Sequence, residues 1–155
     1  MSEPRFDLEK TSWSHADYDA MAWSDATIHA LAFDADRHRL LLDIDYVFRF
    51  EEPDEGDESF RFWVAPCTLV FAEVGGFASR LAAPDATGLR VAALARSELS
   101  QASGASRWRW SLDCDQGDVS FDASGFGQYV RREPGLEYDP CLSLGARGGV
   151  SFKIP

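Results

Sequence analysis

The chain has 155 residues and carries 15 basic against 26 acidic side chains, a formal net charge of −11. That field disfavours nucleic acid and anionic lipid surfaces and favours a basic protein partner. With 45% hydrophobic and 13% aromatic residues, residues 1–155 read as a single globular domain with a real core.

The opening "MSEPRFDLEK" lacks the apolar centre of a signal peptide, and no stretch reaches the ~20 apolar residues of a membrane span. Cys67, Cys114 and Cys141 show no CxxC spacing and sit among apolar or strand-like neighbours. They read as buried free thiols, and a zinc site built on cysteine is not expected. These features together predict a cytoplasmic protein.

The first element is a short helix in "SHADYDAMAW", with Asp17 as its cap and Tyr18 and Met21 three apart on one face. The period then changes to two. In "RLLLDIDYVFRFEE", Leu40, Leu42, Ile44, Tyr46, Phe48 and Phe50 alternate with Arg39, Leu41, Asp43, Asp45, Val47 and Arg49, which predicts a long half-buried strand. "EEPDEGDE" then places six acids in eight positions around a Pro and a Gly, a solvated turn.

Further strands are predicted in "SFRFWVA", "TLVFAEV" and "GLRVAALAR". "RWRWSLDC", "DQGD" and "VSFDA" make a hairpin, and the tail "CLSLGARGGVSFKIP" offers one or two short strands. The expected fold is mainly β, an antiparallel sandwich or barrel of seven to nine strands with one short N-terminal helix.

Asp25, His29, Asp43 and Asp45 lie close in sequence and are types that hold metals or carry protons. Parity argues against convergence. Pairing Phe33 with Leu40 buries Leu31 and Phe33 in place of two alanines, worth a few kcal/mol. The same register sets His29 opposite Ile44, on the core face, and sends Asp43 and Asp45 to the other face. On this reading Trp23, Asp25 and His29 form a structural polar core, with Asp25 or a backbone carbonyl as partner to His29. Asp43 and Asp45 belong to a charged outer face.

No other motif supplies chemistry. "DCDQGDVSFD" fails as a calcium loop, because the sixth and twelfth positions from Asp113 hold Asp118 and Ser124. "DASGFG" lacks the first Gly of a nucleophile elbow, and no phosphate-binding glycine fingerprint occurs. The alternation in "SRWRW" reads as two core tryptophans behind two surface arginines. No catalytic residue, metal or cofactor is expected.

Three blocks carry a resemblance. Trp23, Asp25, Ile28 and His29, then Leu42 to Tyr46, then Phe62, Trp63, Ala65 and Pro66 are similar to a Trp-x-Asp-x-x-Ile-His, Leu-Asp-Ile-Asp-Tyr and Phe-Trp-x-Ala-Pro series. That series belongs to a group of small uncharacterised bacterial proteins. The chain also resembles the small acidic immunity proteins of bacterial toxin systems, which implies a non-enzymatic inhibitor.

Charge and resemblance together predict a protein-binding domain that docks a basic partner through Asp43, Asp45, Glu51, Glu52, Asp54, Glu55, Asp57 and Glu58. The alternative is a β module binding a small molecule or sugar in a cleft lined by Trp13, Trp23 or Trp63. Oligomeric state is left open.

Overall fold

The computed structural model describes residues 4–83, 85, 87–99 and 106–155. It is mainly β, with ten antiparallel strands in one continuous sheet: β1 (Ser12–Ser14), β2 (Thr27–Asp34), β3 (Arg39–Glu51), β4 (Arg61–Ala72), β5 (Gly75–Leu81), β6 (Leu89–Leu99), β7 (Arg107–Cys114), β8 (Gly117–Ala123), β9 (Gly125–Val130) and β10 (Gly135–Glu137). The order across the sheet is β1-β9-β4-β3-β2-β6-β7-β8-β5, with β10 also pairing to β4. Among the described residues no helix is long and apolar enough to cross a membrane.

The long strand β3 and the β7–β8 hairpin stand where the period-two pattern put them. The stretches "SFRFWVA" and "TLVFAEV" are not two strands but one, β4, which runs straight through Pro66. Pro66 has no N–H to donate. It sits opposite Asp45 of β3, while on the other side of β4 the pairing with β10 ends at Val64 and that with β9 begins at Cys67. The proline therefore falls in a gap between two neighbours, where its missing donor costs least.

The helix expected near the N-terminus is a 3₁₀ helix, His15–Ala20, which follows β1 directly. Its cap is Ser14 rather than Asp17. The Ser14 hydroxyl accepts from the Ala16 amide, and the Asp17 carboxylate accepts from the Ser14 amide, closing a capping box. The tail forms one turn of helix, α1 (Leu144–Arg147), instead of strands.

Aromatic rings from distant strands meet in the core. Phe71 of β4 lies 5.1 Å from Trp110 of β7 and 4.7 Å from Phe121 of β8, all three fully buried. Each such side chain contributes roughly 1.5–3 kcal/mol of burial free energy. The even residues Leu40, Leu42, Ile44 and Tyr46 of β3 join this core as expected.

The β2–β3 register agrees with the parity argument at one end and breaks it at the other. Phe33 pairs with Leu40 and Leu31 with Leu42, but a bulge between Ile28 and Ala30 sets Ile28, not His29, opposite Ile44. A bulge inserts one unpaired residue and reverses the facing of everything beyond it. Phe33 itself is 60% exposed, lying edge-on to Phe77 at 4.9 Å rather than in the core.

Candidate functional site

The residue pushed out by the bulge is His29. Its side chain turns to the odd face of β3, where Nε2 lies 2.6 Å from Oδ2 of Asp45. The expectation that His29 and the two aspartates face opposite ways is therefore overturned, and with it the register argument against a shared site. Asp25 is not the partner of His29. It stands in the left-handed region at φ 69° and pairs with Arg90 at 2.6 Å.

Asp43 and Asp45 are not on an outer face. Both are fully buried, because the segment from Asp139 to Lys153 crosses over β3 and β4 and brings donors to them. Oδ2 of Asp45 accepts from the Leu142 amide at 2.8 Å, and Oδ1 from Arg147 Nε at 3.0 Å. Asp43 accepts from Arg147 Nη1 at 2.7 Å and Nη2 at 2.6 Å, from Arg131 Nη2 at 2.5 Å and from the Ser151 amide at 3.0 Å. Arg131 also donates to the Thr68 hydroxyl at 2.8 Å, which donates to the Lys153 carbonyl at 2.6 Å.

Two carboxylates and two guanidinium groups thus share one closed network. Burial pushes the Asp43 carboxyl up, but hydrogen bonds from Arg147, Arg131 and the Ser151 amide outweigh it and hold the pKa below the usual carboxylate value. Burial likewise works to lower the Arg147 pKa, while the bonds and charges of Asp43 and Asp45 leave it raised. The cationic and anionic forms lock one another in place.

Cys141, which immediately precedes Leu142, completes a second cluster. Its sulfur, a ring nitrogen of His29 and a carboxylate oxygen of Asp45 lie within 4.8 Å of one another. This is a set of metal-ligating types that the sequence reading did not expect. Cys67 is buried, as predicted, but Cys114 and Cys141 are only half-buried. Desolvation raises all three thiols, Cys114 to about 11.

The acidic turn stands apart from this network. Glu52, Asp54, Glu55, Asp57 and Glu58 are exposed and Glu51 is half-buried, accepting from Trp63 Nε1 and from Arg49. Flanking the turn, Phe50 and Phe60 are 51% and 46% exposed and stack at 4.7 Å. Of the three tryptophans proposed for a cleft, Trp23 and Trp63 are buried, and Trp23 donates to Gln128 at 2.8 Å. Trp13 lines a cleft of about 630 Å³ shared with His15, Arg39, Phe126 and Tyr129, and Trp23 touches a smaller one of about 300 Å³ beside Tyr18 and Met21.

Two features escaped the sequence. Arg147 lies more than a hundred positions from its partners, and Arg131 nearly ninety. One signal for them was present: Asp43 and Asp45 share their face with apolar Leu41 and Val47, a pattern for a covered face rather than a wet one. Comparison of the chain with protein-family models, with curated proteins and with solved structures finds no match in any of the three.

Proposed function

We propose that this protein is a non-enzymatic binding domain of the immunity or inhibitor type, which engages a basic protein through the tip of the β3–β4 hairpin. The observation that carries the reading is the stacked, exposed pair Phe50–Phe60 at the base of a turn bearing six acids. Acids alone would serve solubility. The two stacked phenyl rings still leave about half of their surface in water, which a partner would cover, and interface centres are built from aromatic anchors inside a charged rim.

Asp43 and Asp45 drop out of this surface because they are buried. The docking set becomes Glu51, Glu52, Asp54, Glu55, Asp57 and Glu58 together with Phe50 and Phe60. In this reading the sheet folds over on itself as a sandwich, which leaves the hairpin tip projecting, and the protein works in the cytoplasm. The small-molecule alternative now rests on Trp13 and its cleft.

The test is affinity capture from a native lysate with the wild type and with two variants as bait. One neutralises the six acids to Gln and Asn, and the other is Phe50→Ser/Phe60→Ser. A basic protein retained by the wild type and lost with either variant supports the proposal. Equal capture by all three baits, or no retained protein, counts against it.

A further inference from the structure

The bulge at His29 and the crossing of the C-terminal segment place three different ligand types at one point. We propose that His29, Asp45 and Cys141 form a binding site for a single zinc ion. Three observations carry this, none of them resting on the function proposed above.

The first is donor chemistry. One imidazole nitrogen, one carboxylate oxygen and one sulfur within 4.8 Å of each other make a mixed N/O/S set. Magnesium and calcium select oxygen alone, whereas zinc takes all three donors. Ligand atoms of a tetrahedral zinc ion stand roughly 3.3–3.8 Å apart, given bonds of about 2.0–2.3 Å. The three side chains need side-chain adjustments of an ångström or so, with His29 Nε2 and Asp45 Oδ2 moving apart from 2.6 Å as the ion replaces the hydrogen bond between them.

The second is support from behind. Arg147 Nε holds Oδ1 of Asp45 at 3.0 Å, so the carboxylate is fixed with Oδ2 turned toward His29. Outer partners that orient a ligand in this way are a regular part of metal sites. The charge is met in part: Arg147 and Arg131 are matched by Asp43 and Asp45, and a Cys141 thiolate cancels one of the ion's two positive charges.

The third is access. Cys141 and Thr27 line a cleft of about 340 Å³, together with Arg90, Asp115, Gln116 and Asp139. The cleft reaches the cluster at Cys141, whereas the Asp45 side chain is fully buried and that of His29 is 11% exposed, so the Cys141 side is where an ion and a water as fourth ligand would approach. Three protein ligands with an open position distinguish this arrangement from closed structural zinc sites.

Cobalt(II) is the probe, because a thiolate bound to it gives a near-ultraviolet charge-transfer band and a tetrahedral site gives intense visible bands. The chelator-treated protein should saturate at one cobalt per chain, show both signatures and lose them on addition of zinc. Cys141→Ser should abolish the charge-transfer band, His29→Gln should weaken cobalt binding at least roughly tenfold, the scale on which even outer partners of a metal matter, and Cys114→Ser should change neither. Zinc should also protect Cys141 of the wild type from alkylation, read by peptide mass mapping, which assigns the thiol without any substitution. A wild type with no thiolate band, a band that persists in Cys141→Ser, or alkylation of Cys141 unaffected by zinc overturns the site.

Discussion

Arg147 meets Asp43 through a two-pronged contact, Nη1 to Oδ2 at 2.7 Å and Nη2 to Oδ1 at 2.6 Å, with both side chains fully buried. The planar guanidinium matches the carboxylate fork, and its Nε remains free to hold Asp45. Replacing a buried ion network by apolar groups can be neutral, but removing one partner leaves charges stranded. Arg147→Met should therefore destabilise the fold by about 3–5 kcal/mol. Arg147→Lys should also be clearly destabilising, since a point charge cannot serve both acids. Urea unfolding followed by tryptophan fluorescence measures both variants, and a loss below 1 kcal/mol for Arg147→Met would contradict the reading.

His15 gives the pH dependence. Burial, and then the nearby charge of Arg96, whose Nη1 lies 2.8 Å from Nδ1, lower its pKa below 6.5. The folded state thus binds a proton on this group less readily than the unfolded chain. Stability from His15 is fully present above the unfolded value and is lost as the pH falls through about 6.5 toward the folded pKa. The wild type should melt at lower temperature at pH 5 than at pH 7.5, and His15→Gln should flatten that difference. Melting curves at the two pH values for both proteins are the measurement.

Gly117 opens β8 at φ +137°, and a side chain there would run into the Arg80 backbone carbonyl on the neighbouring strand β5. Backbone in this region is closed to other residues, and here the space is closed as well. Gly117→Ala should cost about 1–3 kcal/mol and loosen β5, so that amide exchange at Ala78 to Leu81 quickens ahead of the core. Gly56, also at positive φ (90°) but with open space around it, should tolerate the same change with the smaller loss from backbone strain alone.

The hairpin tip should behave in the opposite way to Arg147. Neutralising Glu52, Asp54, Glu55, Asp57 and Glu58, or changing Phe50 and Phe60 to Ser, should leave stability within about 0.5 kcal/mol per residue, as at other exposed positions. Once a partner is in hand, the acid variant should associate more slowly at low salt, with the gap closing at physiological salt. Stopped-flow association at two ionic strengths reads this, and equal rates at low salt would leave the acids a role in solubility alone.

Much of the fold was legible because strands announce themselves locally. Alternation in 39–52 and 107–123 needs no knowledge of distant residues, and the Phe33–Leu40 pairing was reached from apolar bulk even though Phe33 itself stays 60% exposed. The site was not legible for two physical reasons. A bulge adds a single residue whose placement depends on the finished sheet, and at Ile28/Ala30 it reversed the facing of His29. The donors to Asp43 and Asp45 include Arg131, directly after β9, and Leu142, Arg147 and Ser151 of the tail, contacts created only by the tertiary fold. Strands β1 and β10, three residues each, carry too little pattern to be read, and β5 and β9, which are rich in Gly, are not among the predicted strands either. These four, added to the predicted strands after two of those stretches merged into β4, make up the ten strands of the described residues.

The distance along the chain between Asp43 and Arg147, 104 residues, also fixes an order of events during synthesis. At about 5–20 residues per second, roughly 5–20 s pass between the emergence of strand β3 from the ribosome and that of its counter-ion. β3 is a run of thirteen residues, mostly apolar, and until Arg131 emerges, 88 residues after Asp43, its two aspartates have neither their cover nor a counter-ion from either arginine. The two carboxylates at its centre are then hydrated and repel copies of the same strand on neighbouring nascent chains, as gatekeeper charges do. The groups that later lock the finished sheet first keep its longest strand apart from its own kind.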